Sequence, residues 1–495
     1  MADTSEPGKH TPMLVDSNES RDGKEEGQLS KKFRFFSTLG VNYSLNATPL
    51  VVGLLLQLSL LDGGSPYYFY SFIVCFFFQS LIALSLAEMS GQIYWTASLA
   101  PEKLSRQLSY WCGCLTIMAW TFALSGVAQF FGTVLTGFVV LCNPAYVPEL
   151  WHMYLLYVAV AAVALGFNTF GYRLLPTLAV FLVVWINLGS FFIFVSLLAR
   201  APKAPAQQVF VDVENNSGWA SDGLVFLLSF ITGTTAINSF DGAAHMTAEM
   251  PRPERDVPRA MLGTALMCGF TGLPMILVYL FSLTQPMNLL QPVGGQPILQ
   301  LFVDAYDSRG LTITSGLVFV VALLFSPTLI TLAASRCWWS FAQMGALPAS
   351  TWHARVNSRL KVPANAVLTT FVVVVAIGAL MFGPSQILST IISCGNICFL
   401  LSYTMPIACF LFRGRDDLPE KRYFNLGRRL GPMVNLVALA WTALAIVMLL
   451  WPTMYPVDKV NMNYAVVVVP VFLVLWGVNW VVHARRTHHL QADAL

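Results

Sequence analysis

Twelve apolar stretches, each close to the roughly 20 residues that a helix needs to cross a bilayer, dominate this chain of 495 residues. They lie near residues 38–61, 67–90, 109–140, 152–170, 174–199, 222–245, 259–283, 311–335, 363–382, 386–412, 432–451 and 463–483. Because lipid offers no hydrogen bonds to the backbone, a stretch of this length must satisfy its own amides as an α-helix. The sequence therefore predicts an all-α integral membrane protein with twelve transmembrane helices.

The composition excludes the common soluble classes. Hydrophobic residues make up 56% of the chain and charged residues 11%, whereas a typical soluble domain has about 25% charged residues. A globular protein needs a polar shell that this chain cannot supply, so a cytosolic enzyme, a nucleic-acid binder and a secreted disulfide scaffold are excluded. Most of the nine cysteines lie inside apolar stretches, where cysteine behaves as a small hydrophobic residue. We therefore predict no metal site and no cofactor.

Lysine and arginine are distributed asymmetrically among the connections. When the N-terminus is placed inside, 24 of the 28 Lys and Arg residues fall in inside segments. The four in outside segments are Arg200, Lys203, Arg309 and Lys459. By the positive-inside rule, this bias places both termini in the cytosol. The outside triplet Asn-Asn-Ser makes Asn215 a candidate glycosylation site.

Two of the twelve stretches contain sequence that a lipid-facing helix avoids. The first carries polar residues and Pro49 near its middle, and proline removes a ladder hydrogen bond and clashes with the preceding turn. The sixth is similarly polar over residues 232–242. If spans 1–5 and 6–10 are inverted repeats, the two interruptions occupy matching places, as in the central site of a transporter. The candidate substrate-binding residues are Asn42, Tyr43, Ser44, Asn46, Ala47, Thr48, Thr235, Asn238, Ser239, Phe240 and Asp241, unless their side chains serve only to join helices.

Ionisable residues within the spans form a second group of candidates. Asp241, His245 and Glu249 follow one another at intervals of four, so an α-helix would place them on one face. Asp241 is a candidate site for a substrate ammonium or a proton, and His245 is a candidate proton relay or a structural donor. Glu88, Glu249 and Arg336 lie near the inner ends of their spans. We hypothesise that one of the two glutamates pairs with Arg336 as an inner gate; the alternative is an interfacial salt bridge without a gating role.

Several motifs carry a family resemblance. The most specific is F-D-G-A-A-H-M-T-A-E-M-P-R-P-E-R-D-V-P-R-A-M at 240–261, and further ones are S-L-A-E-M at 85–89, Y-W-T-A-S-L-A-P at 94–101, S-G-W at 217–219, S-R-C-W-W-S-F-A-Q-M-G-A-L-P at 335–348, V-P-A-N-A at 362–366 and N-M-N-Y at 461–464. Over residues 33–485 the chain resembles the amino acid–polyamine–organocation superfamily, and within it the fungal branch of choline and gamma-aminobutyrate permeases. The resemblance implies a 5+5 inverted repeat with interrupted helices 1 and 6, followed by two C-terminal helices. It also implies a substrate held between the interruptions and uptake driven by a cation gradient, most often of protons in fungi.

The sequence departs from this family pattern in two places. About seven residues of the pattern are absent after Glu88, at the inner end of span two. The G-x-G of many amino acid permeases reads G-V-N-Y-S at 40–44, which weakens the interpretation of this stretch as a carboxylate cradle and leaves room for a cation such as choline. Tyr43, Trp120 and Phe240 then offer ring faces to a quaternary ammonium, unless these rings only pack or anchor the helices.

The combined interpretation is a secondary active transporter, not an enzyme. We expect it to import an amino acid, gamma-aminobutyrate or a choline-like amine by alternating access, coupled to protons, across the plasma membrane or, alternatively, a vacuolar membrane. A nutrient sensor of the same fold that binds without flux is the alternative. We expect residues 1–34 to form a disordered cytosolic tail, residues 35–485 the twelve-span transporter domain and residues 486–495 a short cytosolic tail.

Overall fold

The computed structural model describes residues 33–89, 96, 98–383, 387–414 and 423–489. Within these residues the chain is helical apart from one antiparallel pairing of two residues with two, Asp62–Gly63 with Glu214–Asn215. Eleven of the described helices are long and apolar enough to cross a membrane. The predicted tails up to residue 32 and from residue 490 lie outside the described residues, as do residues 90–95 of the short segment that follows Glu88. The predicted domain boundaries remain predictions.

The α-helices are named in chain order. They are α1 Phe35–Asn46, α2 Thr48–Leu54, α3 Leu56–Leu61, α4 Gly64–Ala87, α5 Glu102–Cys142, α6 Leu150–Thr169, α7 Leu175–Arg200, α8 Ala206–Phe210, α9 Asp222–Leu228, α10 Phe230–Ala236, α11 Pro253–Ser282, α12 Pro297–Ala305, α13 Arg309–Gln343, α14 Ser350–His353, α15 Ala364–Gly378, α16 Ile387–Arg413, α17 Leu430–Leu450, α18 Ala465–Asn479 and α19 Arg485–Thr487. Tighter 3-10 turns occupy Tyr172–Leu174, Phe240–Glu249, Pro286–Leu290, Val293–Gly295 and Ala379–Phe382, and a π-helical turn occupies Trp480–Ala484.

The first predicted span is divided into the short helices α1, α2 and α3, so it is absent from the eleven long ones. The break between α1 and α2 falls at Ala47, which adopts left-handed backbone angles of φ 42° and ψ 39°. Pro49 explains where the break lies. The backbone N–H groups in the first turn of a helix have no partner within that helix, so a proline there costs no hydrogen bond, whereas a proline inside a continuous helix would remove one. The amide of Ala47 donates to the carbonyl of Tyr43 at 2.9 Å, which closes the end of α1.

The second interruption follows α10. Helical geometry ends at Ala236, Ser239 has a left-handed φ of 58°, and the chain continues as the 3-10 helix Phe240–Glu249. Two side chains of the first interrupted segment bond to carbonyls here. Asn42 Nδ2 donates to Phe240 O at 2.7 Å, and Thr48 Oγ1 donates to Ala236 O at 2.6 Å. The two interruptions therefore lie side by side. Backbone carbonyls at the second interruption accept hydrogen bonds from side chains at the first.

The interior and the periphery of the bundle differ in their helices. α5 packs against both α13 and α16, and in the most apolar window of α13 72% of the residues are buried. In the corresponding window of residues 465–487, only 11% are buried. An apolar helix with this little protein contact is suited to facing lipid. α5, α13 and α16 thus form a packed group in the interior of the bundle.

The end of the described chain folds back on the bundle. Thr487 Oγ1 donates to Gly345 O at 2.7 Å and the amide of His489 donates to Met344 O at 2.9 Å, just beyond the end of α13. Arg106 of α5 donates to Arg485 O at 2.7 Å. We call residues 485–489 the C-terminal clasp, since they join the neighbouring ends of α5 and α13.

The side chain of His488 is the buried part of this clasp. Its ring packs against those of Tyr110, Phe341 and Trp480, at centroid distances of 5.9–6.5 Å. Burial lowers the pKa of His488 from its usual 6.5 to about 4. The nearby positive charges of Arg106 and His489 act in the same direction, while a hydrogen bond to the carbonyl of Met344 opposes them. The clasp therefore contains a histidine that is uncharged at neutral pH.

Candidate functional site

A cavity of about 90 Å³ lies between the two interruptions. A buried space needs only about 10–15 Å³ on this measure to hold one water, so there is room for a small solute. Its walls come from the end of α1 and start of α2, the second interruption, and α5, α13 and α16. Seven of the twelve predicted substrate-binding residues line it: Ser44, Asn46, Ala47, Trp120, Thr235, Asn238 and Ser239.

The structure places the other five predicted residues outside the lining of this cavity. Asn42 and Thr48 join the two interruptions through their hydrogen bonds to Phe240 O and Ala236 O. Tyr43 faces α7 and α11, where its hydroxyl lies 3.3 Å from Asn187 Oδ1 and 3.0 Å from Thr271 Oγ1. The remaining two, Phe240 and Asp241, both contact Tyr403 of α16.

Several lining residues were not singled out from the sequence. Phe122 and Phe130 of α5, Ser326 of α13, and Asn396 and Phe399 of α16 belong to this group. A signal existed for two of them. Ser326 precedes a proline within an apolar stretch, and Asn396 follows a glycine within another, and polar residues at membrane depth usually face a cavity or a partner.

The described residues that line the cavity are rich in aromatic rings and carry no formal charge. Trp120, Phe122, Phe130 and Phe399 all line it, and no acidic or basic residue is found among the described residues that do so. Its polar groups are partly unpaired. Ser44 Oγ, Trp120 Nε1, Asn238 Oδ1 and Ser326 Oγ are buried and have no hydrogen-bond partner in the described part of the chain. Unpaired buried polar groups are costly, so these groups are candidates for contact with a bound solute.

A buried ionisable cluster lies behind Trp120. Asp241, which is fully buried, receives a hydrogen bond from Tyr403 on Oδ1 at 2.7 Å and lies 2.9 Å from His245 Nε2 through Oδ2. The ring of Trp120 meets the ring of His245 edge to face, with centroids 5.9 Å apart. Trp120 therefore belongs both to the cavity wall and to the surroundings of the Asp241–His245 pair.

A second buried cluster surrounds Glu249. Arg336 Nε lies 2.6 Å from Glu249 Oε1, and both side chains are at most 1% exposed. The hydroxyl of Tyr172 donates to Glu249 Oε2 at 2.5 Å, and Arg336 also donates to Ser335 Oγ at 3.2 Å. The hypothesised ion pair with Arg336 is present, and Glu249 is the partner. Glu88 lies elsewhere, where its Oε1 accepts from the amide of Leu426 at 3.1 Å.

The expectation that Asp241, His245 and Glu249 share one face is wrong in part. These residues lie in a 3-10 helix, which has 3.0 residues per turn instead of 3.6. Residues four and eight apart are therefore rotated by roughly a third and two thirds of a turn. Asp241 still reaches His245, but Glu249 turns to Arg336. One short segment thus supplies two separate ionisable clusters.

The side chain of Asn215, the predicted glycosylation site, makes hydrogen bonds with both its nitrogen and its oxygen. Asn215 Nδ2 donates to Trp219 O at 2.8 Å and to Asp222 Oδ1 at 3.3 Å, while its Oδ1 accepts from the amide and hydroxyl of Ser217. A glycan would leave this nitrogen a single N–H and so remove one of the two donated bonds, and glycosylation remains a prediction.

A partly polar cavity between interrupted helices of a multi-pass membrane protein is the arrangement of a solute permease. The chain belongs to the amino acid permease family, whose profile matches residues 33–473. It is 29% identical over 480 residues to a choline transporter of Saccharomyces cerevisiae, covering 94% of this chain and 83% of that protein. It is 29% identical over 440 residues to a putative amino acid/polyamine transporter of Macrophomina phaseolina, covering 86% and 96%. An uncharacterized amino-acid permease of Schizosaccharomyces pombe is 27% identical over 474 residues, covering 93% and 86%. The resemblance inferred from the sequence motifs is confirmed.

Proposed function

We propose that this protein is a secondary active transporter that imports a small nitrogenous solute by alternating access. The proposal assigns it twelve spans, with spans 1–5 and 6–10 as inverted repeats and α17 and α18 as the two additional helices. Both termini are cytosolic and the membrane is the plasma membrane. The supporting observation is the cavity itself, because it lies between interruptions of the first and sixth spans and such matched interruptions mark transporter sites.

The cavity wall favours a choline-like amine as the solute. Four aromatic rings line the cavity, and no carboxylate is found among its described lining residues. A quaternary ammonium is recognised by ring faces without a counter-charge, whereas a primary ammonium loses more hydration on entering such a site and needs several acceptors. The similarity to a protein named as a choline transporter agrees with this choice. An amino acid is the second candidate, since other relatives are named as amino-acid permeases.

The coupling ion in this proposal is a proton carried by the Asp241–His245 pair. The two side chains are 2.9 Å apart, with Asp241 fully buried and the side chain of His245 9% exposed, and the ring of Trp120 lies between His245 and the cavity. A proton bound by this pair alters the charge beside the cavity wall, so occupancy of the cavity and protonation of the pair influence each other. Tyr403 holds the other carboxylate oxygen and orients it.

The Glu249–Arg336 pair closes the inner end in this proposal. α13 carries Arg336 and, next to it, Cys337, whose thiol contacts His245. The gate and the proton site are therefore connected through adjacent residues of one helix as well as through the 3-10 segment. Opening at Glu249 displaces a helix that contacts the proton site, which provides a physical route for coupling.

The function is tested by uptake of labelled choline, gamma-aminobutyrate, amino acids and polyamines in a permease-deficient cell. We expect accumulation of a choline-like amine that a protonophore abolishes. Trp120→Leu removes one ring from the cavity and is expected to raise the KM for a quaternary amine by about ten-fold. Trp441→Leu is the matched control, because Trp441 is similarly buried but does not line the cavity.

Three outcomes would contradict the proposal. Binding without accumulation would support the sensor alternative, which no observation on the named relatives favours. Accumulation that persists undiminished with a protonophore would refute the proton as the coupling ion. Equal effects of the two tryptophan variants would refute the assignment of the cavity.

A further inference from the structure

A chain of hydrogen bonds links α16 to the second interruption. Asn238 Nδ2 donates to Asn396 Oδ1 at 2.9 Å, and Asn396 Nδ2 donates to Thr235 Oγ1 at 2.7 Å. The hydroxyl of Thr235 in turn donates to the carbonyl of Ile231 at 2.6 Å. Thr235, Asn238 and Asn396 all line the cavity. The chain therefore begins at a backbone carbonyl of α10 and ends at the cavity.

The polarity of this chain is fixed from its backbone end. A carbonyl only accepts, so the single hydroxyl proton of Thr235 is used on Ile231, and Thr235 Oγ1 must accept from Asn396. The amide nitrogen of Asn396 therefore faces Thr235 and its oxygen faces Asn238. Asn238 must then donate with its nitrogen, which leaves its oxygen for other partners. The orientation of both amides follows from the bonding pattern and needs no assumption about either one alone.

The free end of the chain is a hydrogen-bond acceptor. Asn238 Oδ1 is buried and has no partner among the described residues. Leaving such an acceptor unpaired is costly, and a solute with an O–H or N–H donor removes the cost. A solute of the same shape without a donor does not, and a site built to bond a donor discriminates strongly against the analogue that lacks it.

We propose that Asn396 is a positioning residue that fixes the polarity of Asn238 and thereby makes the cavity select solutes that carry a hydrogen-bond donor. The inference rests on the proposed transport function and deepens it. For a choline-like amine, the aromatic rings bind the ammonium group, and the donor is a hydroxyl at the other end of the molecule. For an amino acid or gamma-aminobutyrate, the donor is an ammonium N–H.

Competition within matched solute pairs tests the inference in cells that express the full chain. The pairs are choline with its methyl ether, and gamma-aminobutyrate with its N-trimethyl derivative. In each pair the second member lacks the donor. The readout is the ratio of inhibition constants of the two members against uptake of the labelled first member, because lower expression or stability changes uptake but leaves this ratio unaltered.

We expect a ratio of about ten in the wild type, the usual effect of one buried hydrogen bond. Asn396→Leu and Thr235→Val should both bring the ratio close to one, because each removes a link that fixes the amides. Thr235→Ser keeps the hydroxyl and should restore the discrimination that Thr235→Val loses. Thr404→Val is the matched control. Thr404 also donates to the carbonyl four residues earlier, at 2.8 Å, and it does not line the cavity.

The possible failures are distinguishable. A wild type that accumulates a label but is inhibited equally by both members of its pair overturns the inference and leaves the transport function standing. Reduced uptake with an unchanged ratio in Asn396→Leu means that Asn396 is only structural, which also overturns it. If the wild type accumulates neither label, the proposed function is refuted for these solutes and the inference is refuted with it.

Discussion

Loss of the buried ion pair between Glu249 and Arg336 is expected to open the inner end of the protein. The two charged atoms are 2.6 Å apart and neither side chain is more than 1% exposed. In Arg336→Gln the carboxylate of Glu249 keeps the hydroxyl of Tyr172 but loses its cationic partner. In Glu249→Gln the guanidinium of Arg336 loses its anion. Either variant leaves a buried charge uncompensated in the closed arrangement, whereas an opened arrangement allows water to reach it.

The size of the effect follows from burial. Removing one partner of a buried pair costs about 3–5 kcal/mol. If the pair exists only in the closed arrangement, this cost moves the ratio of closed to open molecules by roughly 100- to 5,000-fold. Arg255→Gln provides the control, because Arg255 forms its ion pair with Asp256 at 3.0 Å while being 37% exposed. A pair with this exposure contributes only about 0–1 kcal/mol.

Cys337 provides the assay, since it follows Arg336 directly and is only 2% exposed. Its rate of modification by a maleimide, followed by peptide mass spectrometry, should rise strongly in Arg336→Gln and Glu249→Gln. The exposed Cys142 at the far end of α5 serves as an internal reference. The unfolding midpoint, measured in parallel, separates opening from unfolding. Rates of Cys337 modification and solute uptake that match the wild type in both variants would refute the gate.

Three further predictions concern the proton site and the C-terminal clasp. Asp241→Asn removes the anion beside His245 and should abolish accumulation driven by an imposed pH gradient in vesicles while downhill exchange continues; retained pH-driven accumulation would contradict the proton role. Gly345→Ala should destabilise the clasp by at least about 1–2 kcal/mol, because Gly345 has a φ of +68° and an added Cβ would meet Thr487 O; unchanged hydrogen exchange at residues 485–489 would contradict this. The depressed pKa of His488, about 4 instead of 6.5, means that the docked clasp binds fewer protons than the released one between these values. Docking should therefore be strongest above pH 6.5 and weaken as the pH falls toward 4. Proteolysis of the C-terminal segment should accordingly be faster at about pH 5 than at about pH 7.5, and equal cleavage, after correction for the activity of the protease, would contradict the prediction.

The sequence predicts the long helices and both interruptions because their causes are local. An apolar stretch of about 20 residues has no alternative to a helix in lipid, and Pro49 limits where the first break can fall. The sequence also predicted that Arg336 pairs with a glutamate, since a buried cation at membrane depth needs an anion. The sequence did not show which glutamate, Glu249 or Glu88, is the partner, because this depends on the direction that the 3-10 segment takes.

The direction of side chains around a break cannot be extrapolated from helical periodicity. Ala47 and Ser239 have positive φ values of 42° and 58°, and each such residue resets the angular phase of the residues after it. Phe240, which follows Ser239, was expected to offer its ring to the cavity but packs against the ring of Tyr403 instead. Tyr43 lies before the first break, and its ring was also expected at the cavity, whereas it is the adjacent Ser44 that lines it. Which ring meets the solute depends on packing between helices that are distant in sequence.

The contribution of α16 was missed for a different reason. Its sequence has the composition of an ordinary span, yet Asn396, Phe399 and Tyr403 contact Asn238, Trp120 and Asp241 respectively. These three residues are spaced by three and four, so one face of the helix reaches both the cavity and the Asp241–His245 pair. The polar Asn396 alone gave a signal in the sequence, and the roles of Phe399 and Tyr403 depend on which segments the helix packs against.

The C-terminal clasp has a consequence for the order in which contacts form as the chain is synthesised. Met344 and Gly345 are synthesised well before Thr487 and His489, the residues that bond to them. Since a chain is synthesised and folds N-terminus first, the ends of α5 and α13, which also meet directly through the rings of Tyr110 and Phe341, receive the clasp only after its residues have been made. A polypeptide that stops short of residue 485 would insert its helices but leave the ring of Phe341 without His488. The clasp thus adds a contact at the ends of α5 and α13 that forms only after residue 489 has been synthesised.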